Sequence, residues 1–489
     1  MLRRLRNWFR SVFARYEGAT TWSSSRSWIP GAVTDARIDI SVATRTELVR
    51  KSRYFEKNNA FVNRLADLFE QFTVGPQGMP MIPASSDPEW NSRAQQAWDT
   101  WCHFPDMTSL QTFATLQGLI ARAAFVDGEV FILKTRGDSG RPRIQVIEAH
   151  RICTPPDLRS EEGKSIIDGI KVNNVGRPVG YYVSEGTGTD MTFRLLPAES
   201  VIHHFEPGRA GQYRGIPLVS AVLNDINDLD DLQMLEMRAA KDAAEVSNVI
   251  TSETGEMTTD GLLRSRFQVS NTDGQGNSVT QDTTEFVRNT IGGRTVALKR
   301  GEKLEQFRSE RPSVASQQYW DYLTSKICAG VGISKMLVLP YSLQGTAVRA
   351  ELDIANTFFR SRSAVLADTF KRIYAYVMGW SVANEAGLRD KPGDWWKVTT
   401  RPPRAVNVDV GRNSSALIGE LDAGVRTYED VYAEVGQDWK QAFRQRAVER
   451  TFVKQLAAEF GLEPDEIVKA SNAELMAQQQ STQQSNEVV

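Results

Sequence analysis

Residues 212–250 read QYRGIPLVSAVLNDINDLDDLQMLEMRAAKDAAEVSNVI, and the layout of the chain follows from them. Pro217 suits a first helical turn, because its fixed φ is already helical and its missing N–H would have no partner there. No glycine or proline follows until Gly255. Leu218, Val222, Ile226, Leu229 and Leu232 recur at three- and four-residue steps and so share one face. The pattern predicts a helix over 217–250, roughly 50 Å long at 1.5 Å per residue. Helices in globular cores average about 11–12 residues. A rod this long spans something, packs along copies of itself, or belongs to a long bundle in an enzyme.

The chain of 489 residues is long enough for several domains, three on the usual length scale. Its 41% hydrophobic and 24% charged residues are those of a folded globular protein. The net charge of −2 excludes a generally basic nucleic-acid coat, though not local patches. Cys102, Cys153 and Cys328 are few, far apart and odd in number, so they read as buried thiols rather than a disulfide framework. No run of about 18 apolar residues exists, and no membrane span is expected.

On the N-terminal side, residues 1–18 are basic, but Arg6, Arg10 and Arg15 interrupt any signal-peptide core. Leu2, Leu5, Trp8, Phe9, Val12, Phe13 and Tyr16 form one stripe with arginines opposite. Such an amphipathic helix docks on its own protein, a neighbouring subunit, a membrane or nucleic acid. TTWSSSRSWIPG reads as an extended arm. Helices are predicted over 46–72, 88–101 and 110–125. From 128 to 205 the period changes to two: EVFILKT, RIQVIEA, IIDGIKVN, VGYYVS and MTFRLL are short β-rich runs bounded by turn residues, and predict an antiparallel β region. On the C-terminal side, 251–301 is polar and glycine-rich with strands RFQVS, EFVRN and TVALK. VASQQYWDYLTSKICAGVG is a second helix after Pro312. SKMLVLPYSLQG is a loop, and helix resumes over 346–386 and again over 414–460. The glutamine-rich end should be disordered. The fold class is α+β.

Few words in the sequence suggest catalysis. GDSG, within residues 136–142, matches the nucleophile segment of chymotrypsin-like proteases and would make Ser139 the nucleophile. A triad also needs a base and an orienting acid. Between two strand-like runs, the four residues read better as a hairpin turn. Cys102–His103 and His203–His204 are adjacent pairs and lack the spacing that converges on a metal. There is no phosphate-binding G-x-x-x-x-G-K-[ST] loop. Asp230 and Asp231 point to different helix faces. No cofactor is expected. Asp225, Asp228 and Asp231, at three-residue spacing, drift slowly around the long helix. They form a solvated face or, repeated around a ring, an acidic wall past which DNA could slide, since affinity for DNA comes mainly from cationic contacts.

The order of elements and the local words together resemble the lambda family of phage portal proteins. The resemblance rests on RYEGA, RYFEKNNAFVNRLADLF with VGPQG (53–78), DGEVFIL (127–133), IQVIEAHRI, IDGIKVNNVGRPVGYYV (167–183), PAESVIHHFEPGRAGQYRGIP (197–217), LKRGEKLEQF with RPS (298–313), ICAGVGIS (327–334) and LDAGVRTYEDVYAEVGQDWKQ (421–441). The run LPYSLQGTAVRA (339–350), with Arg349, and VDVGR (408–412) depart from the family pattern.

The resemblance implies a portal fold with a mixed β wing, a long helical stem, a small β clip and a helical crown. It implies the following division: 1–45 amphipathic helix and arm, 46–210 wing, 211–250 stem helix, 251–311 clip, 312–335 second stem helix, 336–346 tunnel loop, 347–405 long helix returning to the wing, 406–470 crown and 471–489 tail. It further implies a homo-oligomeric ring, commonly of twelve subunits, at one capsid vertex of the virion, assembled in the host cytoplasm. Implied partners are double-stranded DNA in the channel, the terminase large subunit, a head-completion adaptor, and the major capsid and scaffold proteins. The chain would be a conduit and not an enzyme. Channel-lining candidates are Asp225, Asp228, Asp231 and Lys335. The tunnel loop would be Val338, Leu339, Pro340, Tyr341, Ser342, Leu343 and Gln344. Basic candidates in the clip are Arg264, Arg266, Arg288 and Arg294. The competing readings are a cytosolic serine hydrolase built on GDSG, and a capsid shell subunit, against which the long helix and its clip-like insert argue.

Overall fold

The structure is a computed structural model. It describes residues 35–186, 190–245, 248–252, 265–272, 278–285, 302–306, 314–340, 346–403, 405, 417–434 and 439–461. The chain divides into two compact units, Met1–Leu223 with Cys328–Val489, and Asn224–Ile327.

In the first unit the helix expected over 46–72 is two, α1 (Val42–Asn58) and α2 (Ala60–Thr73). Asn59 divides them because it serves both. Its N–H bonds the Phe55 carbonyl and closes α1, while its side chain accepts from the Val62 N–H at 3.0 Å and opens α2. A capping side chain outcompetes an unbroken helix at that position. Next comes β1 (Met81–Pro83). Then α3 (Pro88–Cys102) opens on Asp87 with Pro88 in its first turn and buries Trp90, Ala94 and Trp98 at four-residue spacing. Trp98 stacks on Trp101 at 4.9 Å and meets Phe113 and Tyr374 edge-on. α4 (Phe113–Val126) follows.

The β region is antiparallel, as expected. β2 (Glu129–Arg136) lies between β3 (Pro142–Ile147) and β8 (Val201–Phe205). A second sheet runs in the order β4 (Ile166–Ile167), β5 (Ile170–Val172), β6 (Pro178–Glu185) and β7 (Thr192–Pro197). Phe131, Leu133, Ile152, Ile170, Tyr181 and Val183 belong to one buried cluster shared by the two sheets. GDSG is a hairpin turn: Gly137 donates to the Arg141 carbonyl, Gly140 to that of Gly137, and Ser139 is exposed. β4 and β5 join through Asp168 and Gly169, both at positive φ (45° and 81°), the geometry an Asp-Gly hairpin favours.

The helix expected over 217–250 is shorter at both ends. Leu218 donates to the Phe125 carbonyl and Ser220 to that of Pro217, so the chain makes a tight turn and a short 3-10 segment before α5 (Leu223–Glu245) begins. Asn248, Val249 and Ile250 are not helical. They lie in β9 (Asn248–Ser252), whose β-branched residues pair antiparallel with β12 (Glu302–Gln306). In the second unit β10 (Ser265–Thr272) contains the expected RFQVS, and it pairs with β11 (Ser278–Glu285), a strand beyond those expected. Most of EFVRN and all of TVALK lie outside the described residues. α6 (Val314–Val331) is the helix expected after Pro312.

Residues Lys335–Val338, expected in a loop, form a single helical turn, α7, capped by Ser334. The longest helix is α8 (Thr346–Asn384), 39 residues, which packs on α2 and α3 and covers β3 and β8. α4 and α8 cover the sheet, which explains why β2 is buried at every position from Glu129 to Leu133 instead of alternating. β13 (Val398–Thr400) pairs with β1, and α9 (Tyr428–Glu434) and α10 (Trp439–Phe460) follow.

One buried polar cluster joins these parts. Glu129, on β2, is fully enclosed. Arg214 donates to both its oxygens through Nε at 2.9 and 3.0 Å and through Nη2 at 2.6 Å. The Gly215 N–H adds a bond of 2.8 Å, and His203 Nε2 lies 3.2 Å away. Arg214 also donates to the carbonyls of Ala149, Ile152 and Asp168. Arg45, from α1, binds Asp168 through Nε and Nη2. Two arginines thus balance two carboxylates. Burial alone would raise the Glu129 carboxyl, but Arg214 and His203 outweigh it and hold it down at about 2. Burial pushes His203 down, towards its neutral form. His204, bonded to Thr369 of α8 at 2.7 Å, is lowered to about 4, by burial first and then by the positive charge of its neighbours. Beside this cluster Gly128 (φ 82°) lies against Ile216 and Gly215: a Cβ on Gly128 would come within 2.0 Å of the Ile216 carbonyl oxygen.

Removing one partner strands buried charge, so Glu129→Gln should destabilise the protein by about 3–5 kcal/mol, seen as a large drop in the denaturant midpoint. Gly128→Ala should cost about 3 kcal/mol or more by forcing two backbones apart. The lowered groups, Glu129, His203 and His204, give stability that disappears on acidification. The His204 contribution is complete above its ordinary 6.5 and is lost as pH falls towards about 4. That of Glu129 is complete above 4.5 and is lost as pH falls towards about 2. Thermal melting of the parent from pH 7 to pH 2.5 should therefore fall in two windows, and Glu129→Gln should flatten the lower one.

Candidate channel lining

In the second unit α5 buries Ile226 and Leu229, as the period required. Its three spaced aspartates differ from one another. Asp225 is largely covered and takes the Lys326 ammonium of α6 at 2.6 Å, which raises the lysine's affinity for its proton. Asp231 is exposed and accepts from Asn227 at 3.0 Å, one helical turn back. Asp228 is exposed and forms no ion pair among the described residues. The drift of three-residue spacing, about 60° per step, carries one aspartate onto the partner helix and leaves the others facing outwards. Further along α5, Met234, Leu235 and Met237 are 61%, 57% and 59% exposed, and on α6 so are Tyr319 and Tyr322.

Lys335 opens the one-turn α7 and is half-buried. Ser334 donates to Glu351 at 2.8 Å, tying the turn to α8. Val338 is buried, which removes it from a loop free to touch DNA, and it belongs to a helix. Leu339 and Pro340 follow as irregular chain. Tyr341, Ser342, Leu343 and Gln344 lie outside the described residues, as do Arg264, Arg288 and Arg294. Arg266 sits on β10 opposite Thr284.

No Ser–His pair supports the GDSG reading, because His203 and His204 are buried on Glu129 and Thr369, away from any bond with Ser139. Among the described residues no group of His, Cys, Asp and Glu is arranged to hold a metal, and no helix is long and apolar enough to cross a membrane. The Glu129–Arg214 cluster is what sequence reasoning missed. A lone glutamate inside EVFIL, and an arginine beside Gly-Ile-Pro, were its visible signals.

A sequence profile described as phage portal protein, lambda family, matches residues 23–343. A probable portal protein of Halomonas phage phiHAP-1 is 22% identical over 196 residues, which are 37% of this chain and 38% of that protein. Portal protein B of Escherichia phage lambda is 24% identical over 468 residues, 83% of each. Among solved structures, the neck of a native gene transfer agent particle, computed with C12 symmetry, aligns at TM-score 0.49 and 14% identity over 81% of this chain and 94% of that one. An HK97 family phage portal protein from Corynebacterium diphtheriae aligns at 0.31 and 12%, over 70% and 92%. The match over residues 23–343 is most of the chain: it belongs to the lambda family of phage portal proteins, which are structural components of the phage and not enzymes.

Proposed function

We propose that copies of this chain close into a ring, of twelve subunits on the family's usual count, at one vertex of a phage capsid, and that DNA passes through its bore during packaging and ejection. In this reading α5 and α6 are stem staves, 251–311 is a clip that docks the terminase and later a head-completion adaptor, 46–210 is the wing, and 406–470 is the crown facing the capsid interior. Residues 336–346 form the constriction, and capsid and scaffold proteins hold the ring during assembly in the host cytoplasm. The observation that carries the ring is the apolar surface left open on both stem helices, Met234, Leu235 and Met237 on α5 and Tyr319 and Tyr322 on α6. Neighbouring copies, related by a rotation that closes, would cover it. Asp228 and Asp231 would then contribute to an acidic wall, whereas Asp225 has its charge met by Lys326. ATP hydrolysis would belong to the terminase.

Three outcomes are expected. Purified protein should run as a ring on the order of 650 kDa, twelve copies of 54.7 kDa, visible by negative stain and without ATP turnover. Leu235→Glu should shift it towards monomers in light scattering, since one buried charge per interface would cost several kcal/mol. Asp228→Ala and Lys335→Ala should assemble but package or retain less DNA, measured as nuclease-protected genome per particle. Normal packaging by both would remove those residues from the channel.

A further inference from the structure

We propose that a cleft in the first unit, between α8 and β13, is a docking site for an acidic, extended peptide segment of a partner protein. The inference is independent of the channel reading. The cleft has a volume of about 460 Å³. Lys371, Arg372 and Ala375 of α8 form one wall, and Trp396, Lys397 and Val398 form the other. Three features meet there, and each answers a different part of a peptide.

The first is an open strand edge. Among the described residues the sheet of β1 and β13 has two strands, so β13 has a neighbour on one side alone. Lys397 accepts from the Ala84 N–H at 3.0 Å, which fixes the alternation: the N–H and C=O of Val398 and Thr400 turn away from β1, towards the unpaired edge. Pro83, opposite Val398, fits this register, since no N–H is needed from it. An added strand would find its hydrogen-bond partners ready, and one of the two residues that offer them, Val398, lines the cleft.

The second is an apolar recess. The Trp396 side chain is 53% exposed and, with Ala375 and Val398, offers a place for one apolar side chain. The third is charge. Lys371 is paired with Asp368 at 3.0 Å and Lys397 with Asp394 at 3.1 Å, but Arg372 is exposed and forms no salt bridge among the described residues. Three cations against two carboxylates leave the cleft positive, which favours a carboxylate-bearing ligand. A nucleotide could use the indole and the cations, but would leave the strand edge unpaired, so the peptide accounts for more of what is present.

The test uses purified full-length protein and a fluorescein-labelled heptapeptide of alternating acidic and apolar residues (Asp-Val-Glu-Phe-Glu-Val-Asp), followed by fluorescence anisotropy. Binding should weaken about tenfold or more in Arg372→Glu and in Trp396→Ala, and should weaken as salt is raised. Replacing the acids by Asn and Gln, or N-methylating alternate peptide amides, should each cost about tenfold or more as well. Both substituted side chains are solvent-exposed, and circular dichroism checks that the variants fold. If either misfolds, the peptide analogues on the parent protein still decide. Equal binding of acidic and neutral peptides, indifference to N-methylation, no loss in the variants, or ATP binding where the peptide does not bind would each overturn the proposal.

Discussion

The contact between Glu129 and Arg214 is the one on which the rest of the first unit leans. Two charges taken out of water are costly to bury, and their attraction offsets that cost only when every remaining donor and acceptor is met. Here the carboxylate takes the guanidinium, a backbone N–H and an imidazole, while the guanidinium also reaches three carbonyls. Those carbonyls come from two connecting segments, the 3-10 turn around Ala149 and the β4–β5 hairpin turn at Asp168. The pair therefore ties these segments to β2 from the polar side, while Ile152, Ile167 and Ile170 hold them from the apolar side. Arg45 extends the same logic to α1, where Ser52 and Arg53 add bonds to the end of α4 at Val126 and Asp127.

The same pair holds the turn at Gly215–Leu218 that precedes α5. Gly128 and Gly215 bring two backbones into contact because neither carries a side chain, and Leu218 then bonds Phe125. The apolar residues exposed on α5 and α6 are consistent with stability completed between copies rather than within one.

Charge is used in two different ways in the molecule. Inside, it is paired and bonded, and it specifies how segments meet. Outside, on α5, successive aspartates are divided between pairing and exposure by a rotation of about 60° per step. The exposed ones, Asp228 and Asp231, leave negative charge on the helix surface. In the cleft beside Trp396 the balance reverses, and a surplus cation stands next to an unpaired strand edge.

Periodicity alone determined the elements whose stability is local. α3 with its tryptophans at four-residue spacing, the GDSG hairpin, the antiparallel runs between Gly128 and Phe205 and the helix after Pro312 were legible because spacing and turn chemistry act within a few residues. The family, too, was legible in the ordered words of the chain. Tertiary structure decided the rest. Asn59 split one predicted helix by capping both sides of itself, Asn248–Ile250 became a strand because β12 was there to pair with it, and Lys335–Val338 wound into a turn that Ser334 caps and ties to α8. The Glu129–Arg214 pair was hidden for the same reason: its members lie 85 positions apart, and only folding supplies the low-dielectric surroundings that make two distant charges need each other.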